Sequence, residues 1–395
     1  MFAIICFPVC SRRFITYRAL CHYTMNRLDN ITPFLVMDVL RKAQTIPDVI
    51  HFEVGEPDIA PSPKVIEAIA KATRDKKIRY TESLGLLALR EKIAAFYWER
   101  YQVNISPTRI VITVGTSGAF LITYAILLNA GDKILLTDPG YPCYKNFSYI
   151  LNTQPVLVPI DKSTDYQLTV EHLKAQSSIK AVHIASPSNP IGNVYNQATL
   201  KALIDYCENH QIHFISDEIY HGLVYGKKAH TALEFSDNAI VINGFSKYFC
   251  LTGLRLGWVI LPPHLVRQAE IVMQNLYISA PTLSQYGALE AFDHEHLQSV
   301  THTYQKRRDY LYNELSQLFT IDAKPEGAFY IWANVSQYAQ DSLTFSEQLL
   351  DSIHVATTSG IDFGKNKTHH YIRFAYTKEI AHLKEGVDRL KQYLL

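Results

Sequence analysis

From Thr108 to Ser246, short apolar runs alternate with helix-like stretches: Ile110 to Val114, Lys133 to Leu136, Val156 to Ile160, Ala181 to Ala185, His213 to Ser216 and Ala239 to Ile242. The runs are rich in Val and Ile and lack polar alternation, the pattern of strands covered on both faces. With Leu168 to Leu173 and Thr199 to His210 as candidate covering helices, this rhythm predicts an α/β fold with a mostly parallel sheet. After Tyr286 the pattern changes to a long helix over about Leu297 to Phe319, short strands, and a last amphipathic helix from Lys378 to Leu395. That region reads as a smaller α+β domain. In open parallel sheets ligands gather beyond the carboxyl ends of the strands, so polar residues just after each apolar run are the ones to weigh.

Composition narrows the classes. A chain of 395 residues, 48% hydrophobic and 19% charged, has material for two domains with a sizeable core. Its 38 basic and 37 acidic side chains leave a net charge of +1, so no long-range field recruits nucleic acid or an anionic membrane. Six cysteines show no CxxC spacing, and Cys6, Cys10 and Cys21 fall within the first 24 residues. Reduced thiols and a cytoplasmic location are expected, with neither a zinc site nor a disulfide framework. No apolar run approaches the ~20 residues of a membrane helix. In Met1 to Thr24 the apolar residues precede Arg12, Arg13 and Arg18, the reverse of a secretory signal. We expect translation to start at Met25, with residues 1–24 as upstream sequence or a disordered arm; native protein retaining Met1 by intact mass would contradict this.

Three clusters carry chemistry. Thr113-Val-Gly-Thr-Ser-Gly-Ala119 follows the first strand and opens a helix through Leu128; the amides of Thr116, Ser117 and Gly118 would face an anion, or the segment is an ordinary strand-to-helix turn. It matches neither GxGxxG nor the GxxxxGK[ST] loop. In Phe214-Ile-Ser-Asp-Glu-Ile-Tyr220 a strand ends at Asp217, whose carboxylate suits a cationic ring nitrogen, with the Tyr220 hydroxyl a donor to a nearby phenolate. Asp217 reads equally as a cap of the next helix. The third cluster, Asn243 to Trp258, sets Lys247 among Phe245, Phe249 and Leu251, surroundings that lower an amine's pKa by desolvation. Arg255 in the same segment offers a donor fork suited to phosphate, or a buried structural ion pair.

Smaller signals follow. Tyr141 in Asp138-Pro-Gly-Tyr-Pro142 sits at a strand end where a ring can stack on a flat ligand, and Asn189 follows the run ending at Ala185. Arg373 lies in the strand-like Tyr371-Ile-Arg-Phe-Ala375, where a buried guanidinium needs an anion.

In this order the segments resemble the class I/II aminotransferases, aspartate-aminotransferase-like enzymes of the pyridoxal-phosphate-dependent transferase fold type I, from about Arg27 to the C-terminus. The resemblance implies pyridoxal 5'-phosphate bound as a Schiff base on Lys247, with Thr116, Ser117, Gly118, Ser246 and Arg255 around its phosphate. It implies that Asp217 keeps the pyridine nitrogen protonated, Tyr220 and Asn189 bond the 3-oxygen, and Tyr141 stacks on the ring. Arg373 would clamp the substrate α-carboxylate opposite the backbone at Gly55, and Tyr80 would reach the phosphate site of a neighbouring subunit, making the active unit a homodimer. A cis Asn189–Pro190 bond is implied too. Gly244, where many relatives have serine, and Ile191, where threonine is frequent, depart from the commonest pattern. The implied division is 1–24 as an extension, 25–55 as an N-terminal segment joining the small domain, 56–290 as the large cofactor-binding domain and 291–395 as the small domain.

The implied reaction is ping-pong transfer of an amino group from an L-amino acid to a 2-oxo acid, aspartate and 2-oxoglutarate being the default pair. A carbon–sulfur β-lyase would use the same lysine and arginines, and a cofactor-binding regulator would need a DNA-binding module for which 24 residues leave no room. No metal is expected, because His294-Glu-His296 and His369-His370 lack HExxH spacing. A distal substrate carboxylate would need Arg27, Lys76, Lys77, Arg79 or Lys145, whereas Phe34 and Met37 suit an apolar or aromatic donor.

Overall fold

The computed structural model describes residues 27–395, so the expectation for residues 1–24 lies outside the described residues. The central sheet contains β1 (Ile110–Val114), β2 (Lys133–Asp138), β3 (Gln154–Pro159), β4 (Ile179–Ala185), β5 (His213–Asp217), β6 (Ile240–Gly244) and β7 (Leu256–Ile260), in the order β1-β7-β6-β5-β4-β2-β3. All neighbouring pairs are parallel except those made by β7, which runs antiparallel to both β1 and β6. The sheet is therefore mostly parallel, as its apolar rhythm predicts. The seventh strand escaped the sequence reading because its residues lie in the glycine-rich run taken as a ligand motif.

Burial on both faces follows from the two-residue period of a strand. Ile112, Val182, Phe214, Val241 and Trp258 belong to one apolar cluster, while Val111, Ala181, Ile215, Ile242 and Val259 belong to another. In chain order the helices are α1 (Leu35–Ala43), α2 (Pro63–Arg74), α3 (Leu87–Tyr101), α4 (Gly115–Leu127), α5 (Pro142–Ile150), α6 (Val170–Lys174), α7 (Gln197–Asn209), α8 (Pro263–Leu276), α9 (Thr282–Ala288), α10 (His294–Leu315), α11 (Ser342–Ile353) and α12 (Ile380–Leu394). Leu89 and Ile93 of α3 and Leu203 and Cys207 of α7 cover the first face. Phe120 and Tyr124 of α4, Tyr144 of α5 and Met273 of α8 cover the second.

The C-terminal region carries a three-stranded antiparallel sheet of β8 (Tyr330–Asn334), β9 (Thr358–Ser359) and β10 (Tyr371–Ala375), ordered β9-β10-β8. Ile50–His51 pairs in parallel with Val355–Ala356, tying the N-terminal segment to this region. The long helix α10 begins three residues before the expected Leu297 and ends at Leu315. No helix among the described residues is long and apolar enough to cross a membrane.

Candidate active site

Six strands of the sheet run in one direction, so their carboxyl ends open on one edge, and the reversed β7 brings its amino end to that same edge. A cavity of about 310 Å³ lies there, lined by residues that follow β1 (Thr116, Ser117), β2 (Tyr141), β4 (Asn189) and β6 (Ser246, Lys247), together with Asp217 at the end of β5 and Arg255 just before β7. Gly55, Tyr220 and Arg373, also expected from the sequence, line it too. Two expected residues lie off its lining: Gly118, one residue deeper in α4, and Tyr80, which is 76% exposed.

Lys247 Nζ donates to the Gly55 carbonyl at 2.8 Å and stands 5.8 Å from the centre of the Phe329 ring. Burial lowers its pKa to about 8; Arg373 and Arg255 act in the same direction, while Glu56 and Asp217 oppose it. An amine in that range is available as a base near neutral pH. Asp217 is buried, and burial raises its pKa to about 6 against the opposing bonds from Tyr144 and the Ile219 amide. Its Oδ1 accepts the Ile219 N–H at 3.0 Å, so the capping role read from sequence survives as a turn, since no helix follows β5 directly. Its Oδ2 accepts the Tyr144 hydroxyl at 2.5 Å.

Tyr144 is a functional candidate that the sequence reading missed. It lies three residues past Tyr141 on the first turn of α5, where the helix turns it towards Asp217. Behind it, the buried His183 lies 4.2 Å away ring to ring and accepts or donates at Nδ1 with Tyr124, its pKa lowered to about 3 by burial. Tyr330, also missed, bonds Tyr220 hydroxyl to hydroxyl at 2.9 Å.

Arg373 is 2% exposed and, among the described residues, holds only neutral acceptors: Asn189 Oδ1 at 2.9 Å, the Glu53 carbonyl at 2.5 Å and Thr358 Oγ1 at 3.4 Å. Its guanidinium lies 4.3 Å from the Tyr330 ring centre and 4.9 Å from that of Phe363, and its Nε has no partner among the described residues. A buried cation so placed favours a carboxylate entering the cavity.

At the other end, the backbone of Arg255 adopts a left-handed conformation with φ of 53°, its carbonyl accepts the Gly115 amide at 2.9 Å, and its Nη1 donates to the Thr252 carbonyl. It is exposed and makes no ion pair among the described residues, so the structural-pair reading fails. The amides of Thr116 and Ser117, in the first turn of α4, lack acceptors inside the helix, whereas intrahelical bonding begins at Gly118. This is an anion cradle, built by close approach of β7 to α4: a Cβ on Gly257 would fall 2.6 Å from the Gly115 carbonyl carbon and 2.7 Å from the Thr116 nitrogen. The same crowding accounts for Gly244, where a Cβ would meet the Thr116 methyl at 2.9 Å. Ile191 is buried in the main core at 1% exposure.

An anion cradle, a buried lysine amine of lowered pKa, a buried carboxylate and an aromatic at Tyr141 fit a flat, phosphorylated, aldehyde-bearing ring such as pyridoxal phosphate. The Asn189–Pro190 bond is cis, as expected; Asp138–Pro139 and Ser186–Pro187 are cis as well. No group of three His, Cys, Asp or Glu residues suits a metal among the described residues. His294 and His296 open α10, and the adjacent rings of His369 and His370 lie in a short 3₁₀ turn.

Residues 47–390 match the sequence profile of aminotransferase class I and II. Among curated proteins, the chain is 39% identical to a (5-formylfuran-3-yl)methyl phosphate transaminase of Methanocaldococcus jannaschii, covering 93% of this chain and 98% of that one. It is 35% identical to a valine–pyruvate aminotransferase of Mycobacterium tuberculosis, over 92% and 97% of the two chains. The crystal structure of an aminotransferase from Mycobacterium tuberculosis superposes with a TM-score of 0.89 at 35% identity, over 93% and 97% of the chains.

Proposed function

The chain belongs to the class I and II aminotransferases, pyridoxal-phosphate enzymes of fold type I, and from that premise we propose that it moves an amino group from an L-amino acid to a 2-oxo acid in two half-reactions at the cavity around Lys247. The observation that carries this reading is the meeting of Lys247, Asp217 and Arg373 on one cavity from three distant stretches of chain. When bound, pyridoxal phosphate supplies an aldehyde for the amino group and a cationic ring that draws electrons from the substrate α-carbon.

The chain's own residues do the rest. The amine of Lys247, held near pKa 8, would take the α-proton and deliver it two atoms along, to the carbon that had been the cofactor's aldehyde carbon. With the cofactor bound, Asp217 would face the ring nitrogen as a carboxylate, Tyr220 and Asn189 would donate to the 3-oxygen, and Tyr141 would cover the ring. Thr116, Ser117, Ser246 and Arg255 would hold the phosphate, with Gly118 behind them in the helix. Arg373 orients the α-carboxylate, and the Gly55 backbone lies opposite.

We assign residues 56–290 to a cofactor domain and 291–395 to a small domain joined by 25–55, a division supported by the pairing of Ile50–His51 with Val355–Ala356. The exposure of Tyr80 at 76% supports its donation to a partner subunit's phosphate site in a homodimer. The free thiols of Cys143, Cys207 and Cys250 support a reducing, cytoplasmic setting. The relatives named for valine with pyruvate and for a furan phosphate resemble the chain comparably. Aspartate with 2-oxoglutarate, the pair expected from sequence, is therefore not favoured by those names, and the Arg27 side chain, one of the cations expected for a distal carboxylate, lies outside the described residues.

Mixing the holoenzyme with single amino acids is expected to bleach the yellow band and release the donor's own 2-oxo acid. Release of pyruvate and sulfide from cystathionine instead would make the protein a lyase. A protein that stays colourless with added pyridoxal phosphate would refute the reading.

Tyr144 gives the pH test. Activity requires ionised Asp217, so it is lost as pH falls through the Asp217 pKa; the Tyr144 hydroxyl lowers that pKa. Tyr144→Phe is therefore expected to move the acid limb of the kcat/KM profile to higher pH, with the alkaline limb unchanged. An acid limb that stays in place would mean the hydroxyl does not tune the carboxylate.

A further inference from the structure

The geometry points to His183 as a positioning residue: its ring, fixed by Tyr124, holds the Tyr144 side chain so that the Tyr144 hydroxyl stays on Asp217, and by that route it governs how firmly Asp217 keeps the ring end of the cofactor. This rests on the aminotransferase reading. His183, Tyr124, Tyr144 and Asp217 are all buried inside one chain.

The sheet sets His183 beneath Asp217. In the parallel pairing of β4 with β5, Ala185 stands opposite Asp217 and His183 opposite Ile215. Side chains two residues apart share a face, so His183 lies one pleat repeat, about 7 Å, below the row of the carboxylate. Helices α4 and α5 cover that face, Phe120 and Tyr124 coming from the one and Tyr144 from the other. The hydroxyl end of Tyr144 is tied to Asp217 Oδ2 at 2.5 Å. Its ring is wedged among Phe120, Tyr141 and His183, with centroids 5.2, 5.3 and 4.2 Å away. His183 is the nearest of the three and is itself tied, its Nδ1 lying 2.6 Å from the Tyr124 hydroxyl.

Packing alone would be served by an aliphatic residue. His183 instead leaves Nε2 without a partner among the described residues, in a layer shared with Val111, Ile134, Ala181 and Ile215, and an unmet buried polar atom costs stability. The ring brings no charge, since burial lowers its pKa to about 3. The titratable groups packed against it are Tyr124 of α4 and Tyr144 of α5, both pushed well above the ordinary tyrosine value by burial and so protonated. Beyond Tyr144 stands Asp217, on which Lys247 also acts. A neutral imidazole cannot reach Asp217 as a charge. It acts through the place of the hydroxyl that Asp217 Oδ2 receives, whose bond opposes the rise in carboxyl pKa that burial causes.

The test is the Kd of pyridoxal phosphate, titrated into the cofactor-free full chain and followed by the visible band of lysine-linked cofactor. It is measured at about pH 5.5, just below the Asp217 pKa of about 6, and at about pH 8. Because cofactor binding needs the Asp217 carboxylate, a raised Asp217 pKa weakens binding at the lower pH alone. In His183→Leu the Tyr144 ring loses its support, and the ratio of variant to wild-type Kd is expected to be about threefold larger at the lower pH than at the higher, the effect of roughly half a pKa unit. In a Tyr144→Phe background, adding His183→Leu is expected to leave the pH dependence where it was, since the hydroxyl being positioned is gone. Equal ratios at the two pH values, or a further pH-dependent rise in the double variant, overturn the inference and leave the aminotransferase reading intact. That reading fails instead if the wild-type chain forms no lysine-linked band. Should His183→Leu not fold, Tyr124→Phe, which frees the imidazole, is expected to move the ratio in the same direction, and no movement there overturns the inference.

Discussion

Lys247→Ala is expected to lower transamination by at least ~10⁴-fold, because one side chain supplies both the covalent anchor and the proton carrier, and general acid–base action alone contributes about 10²–10⁴-fold. The visible band of lysine-linked cofactor should vanish with it. Folding is expected to survive. Burial holds the lysine pKa down near 8, meaning its charged form is disfavoured inside the fold, and removing it relieves that cost. Binding of the phosphate end should also persist, since Thr116 and Ser117 belong to α4 and Arg255 stands further along the chain, just before β7. The decisive measurement is an absorbance spectrum alongside turnover on the same preparation; a retained band with retained turnover would refute the assignment of Lys247.

Arg373→Ala is expected to reduce kcat/KM for amino acids by roughly 10²–10³-fold, the loss of charge-assisted hydrogen bonds worth ~1.5–3 kcal/mol each. The effect should separate by substrate. Phenylalanine carries the carboxylate that Arg373 is placed to bind, and phenethylamine does not. Wild-type enzyme should prefer phenylalanine strongly, and the variant should lose most of that preference. Equal losses for both substrates would show that Arg373 only supports the fold, through Asn189 and the Glu53 carbonyl. Arg373→Lys is expected to restore little, since an ammonium cannot reproduce the planar fork.

Much of the sheet was legible because a strand buried on both faces has to be apolar at successive positions, and Ile110 to Val114 and Ala181 to Ala185 show it directly. Helix ends were less so. The expected Leu297 to Phe319 became His294–Leu315, since polar residues at both ends carry no periodic signal and their place is set by packing. β7 was missed for another reason. Leu256–Ile260 is apolar but short, and its glycine and arginine flank drew attention to ligand chemistry instead of to a strand.

The site divides along the same line. Lys247, Asp217 and Arg373 stood out because each puts a charged group beside an apolar run, a local anomaly that burial makes costly without a chemical use. Tyr144 and Tyr330 did not, for a tyrosine among apolar residues is ordinary and only the partner reveals its role. For Tyr144 that partner is Asp217, 73 residues away.

The sequence by itself determined the class of fold and marked the candidate reactive groups, because these follow from side-chain periodicity and from charge set in apolar surroundings. Only the tertiary structure decided the cavity. The reversal of β7 carries Arg255 to the edge where Lys247 emerges, and the start of α1, pinned by Asp362, brings Phe34 across from Tyr141. Such meetings depend on strand direction and on contacts more than 300 residues apart, as between Leu35 and Asp362. Local spacing along the chain carries no record of them.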